Sequence, residues 1–172
     1  ALDCIGVRPS TSLRALNNFN GTWRRFEYKG ETKNGAVVYD DYAHHPTEIK
    51  ATLRGAREMF PDKKIIVAFQ PHLYSRTKLL FNEFAQSFSD ADEVFLAPIY
   101  AAREPEDLEI SLKALAQKIA QTGVTAHSAE SLQEIADALN ASSYNKNHLL
   151  ITMGAGDVYK IGEIMHHSIF PF

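Results

Sequence analysis

The sequence predicts an α/β fold: a doubly wound, mostly parallel sheet with helices on both faces, preceded by a β-hairpin. Three short apolar runs, Ile65–Phe69, Val94–Ala97 and His148–Thr152, are typical of strands that are buried on both faces. Between them, apolar residues recur three or four positions apart, which is the spacing of a helix with one buried stripe. Such an alternation of strands and helices favours the doubly wound arrangement.

Each element has its own signal in the chain. Asn34-Gly35, a strong turn signal, separates the runs Trp23–Tyr28 and Ala36–Tyr39 and predicts the hairpin. Five helices are expected over the apolar sets Ile49/Leu53/Ala56/Phe60, Leu80/Phe84/Phe88, Leu112/Leu115/Ile119, Leu132/Ile135/Leu139 and Val158/Ile161/Met165. Thr47 and Ser128 are interpreted as helix-start residues. Residues 1 to about 20 have the pattern of a helix end and a loop.

Composition narrows the class of protein. At 172 residues, with 45% apolar and 23% charged residues, the chain fits one globular domain, or one domain and part of another. A net charge of -3 gives no electrostatic case for binding nucleic acid or an anionic membrane. The single cysteine, Cys4, favours a reducing compartment and hence the cytoplasm. Since the chain begins at Ala1 rather than Met, we interpret it as a piece of a longer protein.

Chemistry is concentrated in the run from Asp40 to Pro46, which follows the apolar stretch Ala36–Tyr39. This run brings two carboxylates, a phenol and two imidazoles into one short segment. Ligands of open α/β sheets bind beyond the carboxyl ends of the strands. The sequence therefore predicts a ligand site at the end of this strand.

Four motifs, taken together, resemble one family. They are Trp23–Glu27, Asp40–Glu48, Phe69–Thr77 and Gly154–Asp157. In this order and at these spacings they resemble the C-terminal domain of the Mur ligase family, in particular of its UDP-N-acetylmuramate:L-alanine ligases. The resemblance covers the chain from about residue 13 onward and implies a Rossmann-like domain that closes over an active site shared with a UDP-sugar-binding domain and a central ATPase domain.

The resemblance also implies domain boundaries and cofactors. Residues 1–19 would be the tail of the central ATPase domain and a linker, and residues 20–172 the C-terminal domain. No G-x-x-x-x-G-K-[ST] phosphate loop occurs in the sequence, so ATP and Mg²⁺ would be held mainly by the central domain and the chain alone is expected to be inactive. Its partners would be UDP-N-acetylmuramate, L-alanine and ATP, with no nucleic acid and no membrane. Closure is expected to hinge near Phe19-Asn20-Gly21.

Site roles follow from the same resemblance. Arg25 would reach the ATP phosphates and Asp41 the ribose hydroxyls. Tyr42, His72 and Arg76 would form the L-alanine pocket, with Arg25 and His72 as the catalytic pair. Four further residues would shape the pocket: His44, His45, Gly154 and Gly156. Leu73 stands where family members often carry a second arginine, so anion binding would depend more on Arg76.

Several alternatives remain open at this stage. Arg25 could pair with Glu27 or Asp41 on the hairpin surface, and Arg24 has no assigned role. Asp40 could do no more than shape the turn, and residues 70–76 could be a loop that caps the next helix. His45 is expected to cap the helix after Pro46, and His166 and His167 to be surface residues.

The function also has alternatives. The first is the recycling ligase that attaches a tripeptide to the same UDP-sugar, and the second is a non-catalytic Rossmann-like binding module. The third is a metal-dependent hydrolase with Asp41, His44, His45 and His72 as ligands, although adjacent histidines do not easily reach one ion. We predict no metal site.

Overall fold

The computed structural model describes residues 6–18 and 21–165. Within them, six strands are β1 Glu27–Glu31, β2 Val37–Asp41, β3 Lys64–Phe69, β4 Glu93–Leu96, β5 Thr125–Ser128 and β6 His148–Met153. The helices are α1 Pro9–Asn17, α2 Pro46–Met59, α3 Tyr74–Leu79, α4 Phe81–Ala85, α5 Leu112–Ala120, α6 Leu132–Ala141 and α7 Lys160–Met165, the last preceded by a 3₁₀ turn, Asp157–Tyr159. Cys4, Phe19, Asn20, His166 and His167 lie outside the described residues.

The strands form a single sheet in the order β1-β2-β6-β3-β4-β5. Only β1 is antiparallel, pairing with β2, while the other five strands are parallel. The predicted mostly parallel sheet with a leading hairpin is confirmed. Strand β5 was not predicted, because three of its four residues are polar and it lies at the edge of the sheet.

Alternation along the central strands divides the core into two layers. Ile65, Val67 and Phe69 of β3 pack in the layer that contains the buried stripes of α2, α4 and α5. Ile66 and Ala68 pack on the opposite face with the buried residues of α6 and α7. Because successive side chains of a strand point to opposite faces, one apolar run serves both layers. The prediction of helices on both faces is confirmed.

The start of the hairpin differs from the prediction. Strand β1 begins at Glu27 rather than Trp23, since Arg24 and Phe26 have positive φ angles of 52° and 46°, which a strand does not allow. The turn itself is as predicted: Gly35 has φ of +82° and donates its N–H to the Thr32 carbonyl at 2.8 Å.

Some helix boundaries also differ. Of the helix predicted over Leu80–Phe88, only α4, Phe81–Ala85, is helical, and a second short helix that was not predicted, α3, precedes it and ends at Leu79. Helix α6 begins after Ser131 rather than Ser128, because the Ser131 hydroxyl accepts the Glu134 N–H at 3.1 Å. In the segment before the hairpin, α1 has no buried residue. Over residues 6–18 and 21–165, no helix combines the length and apolar character needed to cross a membrane.

Candidate functional site

Four aromatic rings lie in a row beyond the carboxyl ends of β2, β3 and β4. Tyr42 and His44 follow β2, His72 follows β3, and Tyr100 follows β4. The ring centroids are 5.5 Å apart between Tyr42 and His44, 5.9 Å between His44 and His72, and 5.5 Å between His72 and Tyr100. The structure thus brings three of the residues singled out from sequence together at one edge of the sheet, and adds Tyr100, which sequence reasoning missed.

His72 and Arg76 carry polar atoms that have no partner. Within the described residues, His72 Nδ1 and Arg76 Nη1 are both buried and make no hydrogen bond. The pKa of His72 is lowered, first by burial, then by the positive charge of Arg76 and by His44, with Glu104 opposing the change. Buried donors and acceptors are normally satisfied. A neutral imidazole beside a free guanidinium is therefore suited to a ligand that supplies both an anionic acceptor and an amine.

The backbone at Leu73 connects β3 to α3. Leu73 has φ of +71°, a left-handed conformation that is uncommon for a residue with a branched side chain. Its N–H donates to the Tyr100 carbonyl at 2.9 Å, and its carbonyl accepts the Thr77 N–H at 3.1 Å and the Thr77 hydroxyl at 2.8 Å. These bonds set where α3 begins and so position Arg76, one turn further along the chain.

Arg24 has a structural role that the sequence left unassigned. Its buried guanidinium donates through Nε to Asp40 Oδ2 at 2.6 Å, and through Nη1 and Nη2 to the carbonyls of Gly156 at 3.1 Å and Gly154 at 2.6 Å. Asp40 in turn accepts the Thr152 hydroxyl at 2.5 Å. Asp40 therefore does more than shape a turn, because it is the buried counter-ion that fixes Arg24.

Gly154 and Gly156 lie where a side chain would not fit. A Cβ on Gly154 would be 2.7 Å from the Gln70 carbonyl oxygen, and Gly154 has φ of +145°. A Cβ on Gly156 would be 2.5 Å from Gln70 Oε1 and 2.7 Å from Tyr100 Cγ. The segment after β6 therefore packs with its main chain directly against Gln70 and Tyr100.

Arg25 and Asp41 differ in how many hydrogen-bond partners they have within the described residues. The exposed Arg25 guanidinium lies 5.5 Å from the Tyr42 ring, and within the described residues it forms no ion pair with Glu27 or Asp41. By contrast, the buried Asp41 accepts N–H groups from Phe26 at 2.7 Å and Ala43 at 2.8 Å, and the Thr52 hydroxyl at 3.3 Å. Arg25 is available to a ligand, whereas most of the hydrogen-bonding capacity of Asp41 holds the strand end in place.

The two adjacent histidines have separate tasks. His45 Nδ1 accepts the Thr47 N–H at 3.3 Å, which confirms that His45 caps α2. Glu48 accepts the backbone N–H groups of both histidines, at 2.9 Å from His44 and 3.1 Å from His45. Burial raises the pKa of Glu48, but these bonds and the charges of His44 and Arg25 lower it overall. His44 Nδ1 donates to the Tyr42 carbonyl at 3.0 Å, which turns its ring into the aromatic row.

A metal centre has little support in this geometry. Among residues 6–18 and 21–165, no three His, Cys, Asp or Glu side chains are grouped so that they could hold an ion. Both carboxylate oxygens of Asp41, which a metal ion would use, already accept hydrogen bonds from the N–H groups of Phe26 and Ala43. The same hydrogen bonds that order the strand end thus compete with a metal at this position.

A family comparison agrees with this geometry. The sequence model of the family described as "Mur ligase, glutamate ligase domain" matches residues 24–156, which span the strands that carry the site. The chain belongs to the Mur ligase family. The matched range includes all four motifs that mark the resemblance in the sequence, apart from their outermost residues.

Individual members of the family extend the comparison. The UDP-N-acetylmuramate–L-alanine ligase of Desulfitobacterium hafniense is 51% identical over 160 residues, covering 92% of this chain and 35% of that protein. The structure of UDP-N-acetylmuramate-alanine ligase MurC from Thermotoga maritima matches 96% of this chain and 34% of its own, at 30% identity and a TM-score of 0.76. A murein peptide ligase from Psychrobacter arcticus matches the same shares at 27% identity and a TM-score of 0.70. The chain spans about a third of the length of these relatives.

Some residues beside the candidate site of this Mur ligase domain have no role assigned from the sequence. Tyr100 and Glu104 lie in the loop after β4, and Gln70 Oε1 is a third buried atom without a partner in the described residues. The periodicity of apolar residues gives no signal for a loop residue such as Tyr100. Its position became visible only in the structure, where its main chain forms an isolated parallel β-bridge with that of His72. A separate cavity of about 310 Å³, lined by Trp23, Tyr159 and others, contains neither His72 nor Arg76.

Proposed function

We propose that this domain holds the amino-acid substrate of an ATP-dependent ligase that joins L-alanine to UDP-N-acetylmuramate in peptidoglycan synthesis. The observation that carries the proposal is a pair of buried atoms at the carboxyl edge of the sheet, Arg76 Nη1 and His72 Nδ1, which have no partner in residues 6–18 and 21–165. The names of the relatives supply the substrate class. The enzyme would work in the cytoplasm, where ATP is available.

Arg76 and His72 match the two ends of an amino acid. The forked, permanently charged guanidinium of Arg76 pairs with a carboxylate through two parallel hydrogen bonds. The lowered pKa of His72 keeps its imidazole neutral near pH 7, so one ring nitrogen can accept a proton from the substrate amine. The Tyr42 ring lies edge-on to His44, with the ring centroids 5.5 Å apart.

These residues would act on the amine while another part of the protein activates the acid. ATP, with Mg²⁺, supplies the phosphoryl group that turns the muramyl carboxylate into an acyl phosphate. The amine lone pair then forms a bond to the acyl carbon, phosphate leaves with the electrons of the broken C–O bond, and His72 takes a proton from the nitrogen. Holding the amine at the correct distance, and keeping water out, is the contribution expected of this domain.

Arg25 is better suited than Asp41 to its predicted contact with ATP. Arg25 is exposed and free of ion pairs within the described residues, so its guanidinium suits a phosphate oxygen. Asp41 uses three acceptor positions internally, which leaves one lone pair for a ribose hydroxyl. Mg²⁺ would be bound by other parts of the longer protein together with the phosphates.

The proposed role requires the domain to move onto the rest of the enzyme. A hinge near Phe19-Asn20-Gly21 stays a prediction, with residues 1–19 as tail and linker and 20–172 as the closing domain. Gly21 has φ of +88°, a conformation that glycine adopts without strain. Structures of the full-length enzyme with and without nucleotide and UDP-sugar test the hinge: it is rejected if the domain orientation is the same in both.

A second candidate is the ligase that attaches a tripeptide to the same UDP-sugar. The likeness to the murein peptide ligase of Psychrobacter arcticus, at a TM-score of 0.70, favours it as the runner-up. A non-catalytic binding module is the remaining alternative. It has less support, because the charged and aromatic groups of the site are brought together in one place.

The test is ADP release by the full-length protein encoded by the gene, with UDP-N-acetylmuramate, ATP and either L-alanine or the tripeptide L-Ala-D-Glu-diaminopimelate. Turnover with L-alanine is expected, and Arg76→Ala should raise the KM for L-alanine by about 10- to 100-fold, because a charge-assisted bond contributes roughly 1.5–3 kcal/mol. The exposed arginine Arg54 gives a matched control, Arg54→Ala. Turnover with the tripeptide alone moves the protein to the second candidate, and turnover with neither supports the binding module.

A further inference from the structure

We propose that Tyr100 is a positioning residue: its ring, fixed by the loop after β4, holds the His72 imidazole in the orientation in which it receives the proton of the substrate amine. The inference rests on the proposed ligase function and adds to it a residue from the loop after β4, which none of the four motifs includes. It draws on the contacts of Tyr100, on the anchoring of its loop and on the unpartnered nitrogen of His72.

The contact between the two rings is a parallel stack. Their planes are inclined by 17° and their centroids are 5.5 Å apart. The main chain holds the two residues side by side, since the Tyr100 N–H donates to the Pro71 carbonyl at 2.8 Å and the Tyr100 carbonyl accepts the Leu73 N–H at 2.9 Å. The residues before and after His72, Pro71 and Leu73, are therefore both hydrogen-bonded to Tyr100, the residue on which the His72 ring stacks.

Tyr100 has little room to move away from this stack. The main chain of Gly156 lies so close to the ring that an added Cβ would be 2.7 Å from Tyr100 Cγ. That main chain is itself held, because the Gly156 carbonyl accepts a hydrogen bond from the buried Arg24. The ring is thus braced by the segment after β6 as well as by His72.

The loop that carries Tyr100 is tied to α3 at two points. Glu104 accepts the Ser75 N–H at 3.0 Å and the Ser75 hydroxyl at 2.5 Å. Further along, Lys78 pairs with Asp107 at 3.1 Å and with Glu109 at 2.5 Å. Since α3 also carries Arg76, the loop, the helix and His72 form one connected frame around the unpartnered atoms.

The charged groups that face His72 come from three elements. Arg76 of α3 and His44 after β2 lower its pKa, whereas Glu104 of the loop after β4 raises it, and burial is the largest cause. Removing the Tyr100 ring would expose the imidazole and release its orientation, while leaving these charges in place. A change at Tyr100 and a change at Glu104 should therefore shift the pKa of His72 in opposite directions.

The first experiment follows the side-chain NMR signals of His72 through a pH titration of this chain. Tyr100→Ala should move the pKa of His72 up toward the ordinary value, because burial is lost, and Glu104→Gln should move it down. Tyr100→Phe, which keeps the ring, should restore the titration of the unaltered chain. Leu108→Ala, an exposed change in the same loop, is the control. If Tyr100→Ala does not fold, Tyr100→Leu removes the ring but keeps apolar volume.

The second experiment measures turnover in the full-length enzyme. Tyr100→Ala should lower kcat by about tenfold or more, since misplacing a general base loses part of its 10²–10⁴-fold contribution. The KM for ATP should not change, and Tyr100→Phe should recover the rate. A folded Tyr100→Ala variant with an unaltered His72 titration or an unaltered kcat would overturn the positioning role even in an active ligase. If the unaltered enzyme does not turn over L-alanine, the proposed L-alanine ligase function is rejected, and the NMR titration alone then decides whether Tyr100 holds the His72 ring.

Discussion

Two arginines at the same edge of the sheet, Arg24 and Arg76, illustrate different uses of one side chain. Arg24 is buried and donates to a carboxylate and two main-chain carbonyls. Arg76 has a buried Nη1 with no partner among the described residues. Since a buried polar group is costly to leave unpaired, a saturated arginine belongs to the structure, whereas an unsaturated one indicates a ligand that would complete it.

The carboxylates Asp40 and Glu104 both have partners within the chain. Asp40 accepts hydrogen bonds from Arg24 and Thr152. Glu104 caps α3 through Ser75, and the hydrogen bond from the Ser75 hydroxyl is the main reason why its pKa is lowered. The comparison teaches that position in a motif does not decide role: in the run Trp23–Glu27, Arg24 is structural, whereas Arg25, the next residue, forms no ion pair with any residue that the structure describes.

The largest expected effect is at Asp40. Asp40→Asn removes the counter-ion of Arg24 and leaves a charge that is 2% exposed without compensation. Breaking a buried ion pair from one side costs about 3–5 kcal/mol. Urea unfolding of this chain measures the loss. The control is Asp62→Asn at an exposed position, which should change the free energy of unfolding by less than about 0.5 kcal/mol. Equal losses of stability at Asp40 and Asp62 would contradict the structural role of the contact between Arg24 and Asp40.

A smaller effect is expected at Gly156. Gly156→Ala would force its methyl group against Gln70 and Tyr100, and overpacking of this kind costs about 1–3 kcal/mol. Gly55 in α2 has open space around it, so Gly55→Ala should stabilise the chain by about 0.5–1 kcal/mol. The two glycine variants are compared by thermal or urea unfolding. A neutral Gly156→Ala would show that the segment after β6 adapts, contrary to the rigid frame described above.

The smallest expected effect is a dependence of stability on pH. The pKa of His72 is lower in the folded chain than its ordinary value of about 6.5. As pH falls below that value, the unfolded chain takes up a proton that the folded chain resists, so stability is lost on acidification. The free energy of unfolding of the unaltered chain relative to His72→Gln should therefore decrease between pH 7.5 and pH 5.5. His127→Gln is a surface control, and a constant difference for His72→Gln would contradict the assignment of a neutral, half-buried His72 in the folded chain.

Much of the fold could be predicted from the sequence because its core strands are continuous apolar runs. The runs at β3, β4 and β6 and the stripes of α2, α5 and α6 were identified within a few residues. Strand β5 was missed because edge strands do not need apolar residues, and the start of β1 was misplaced because the conformation of Arg24 depends on partners more than 100 residues away. Tertiary contacts decided these elements rather than local propensity.

The position of the candidate site could be predicted from the sequence, but which of its polar groups are already hydrogen-bonded could not. The run Asp40–Pro46 and the loop after β3 do meet, as predicted. The roles of Asp40 and Arg24 depend on hydrogen bonds from Arg24 to the carbonyls of Gly154 and Gly156. Tyr100 belongs to none of the four motifs. Hydrogen-bond saturation is a property of the folded arrangement, so no sequence pattern distinguishes Arg24 from Arg25.

The most direct test of this account is the urea unfolding of two matched variants of this chain, Arg24→Gln and Arg76→Gln. Arg24→Gln should reduce the free energy of unfolding by about 3–5 kcal/mol, because Asp40 is left buried without its counter-ion. Arg76→Gln should change it by less than about 1 kcal/mol, since Nη1 has no hydrogen bond to lose within residues 6–18 and 21–165. Equal losses, or a larger loss for Arg76→Gln, would contradict the claim that one arginine holds the fold and the other awaits a ligand.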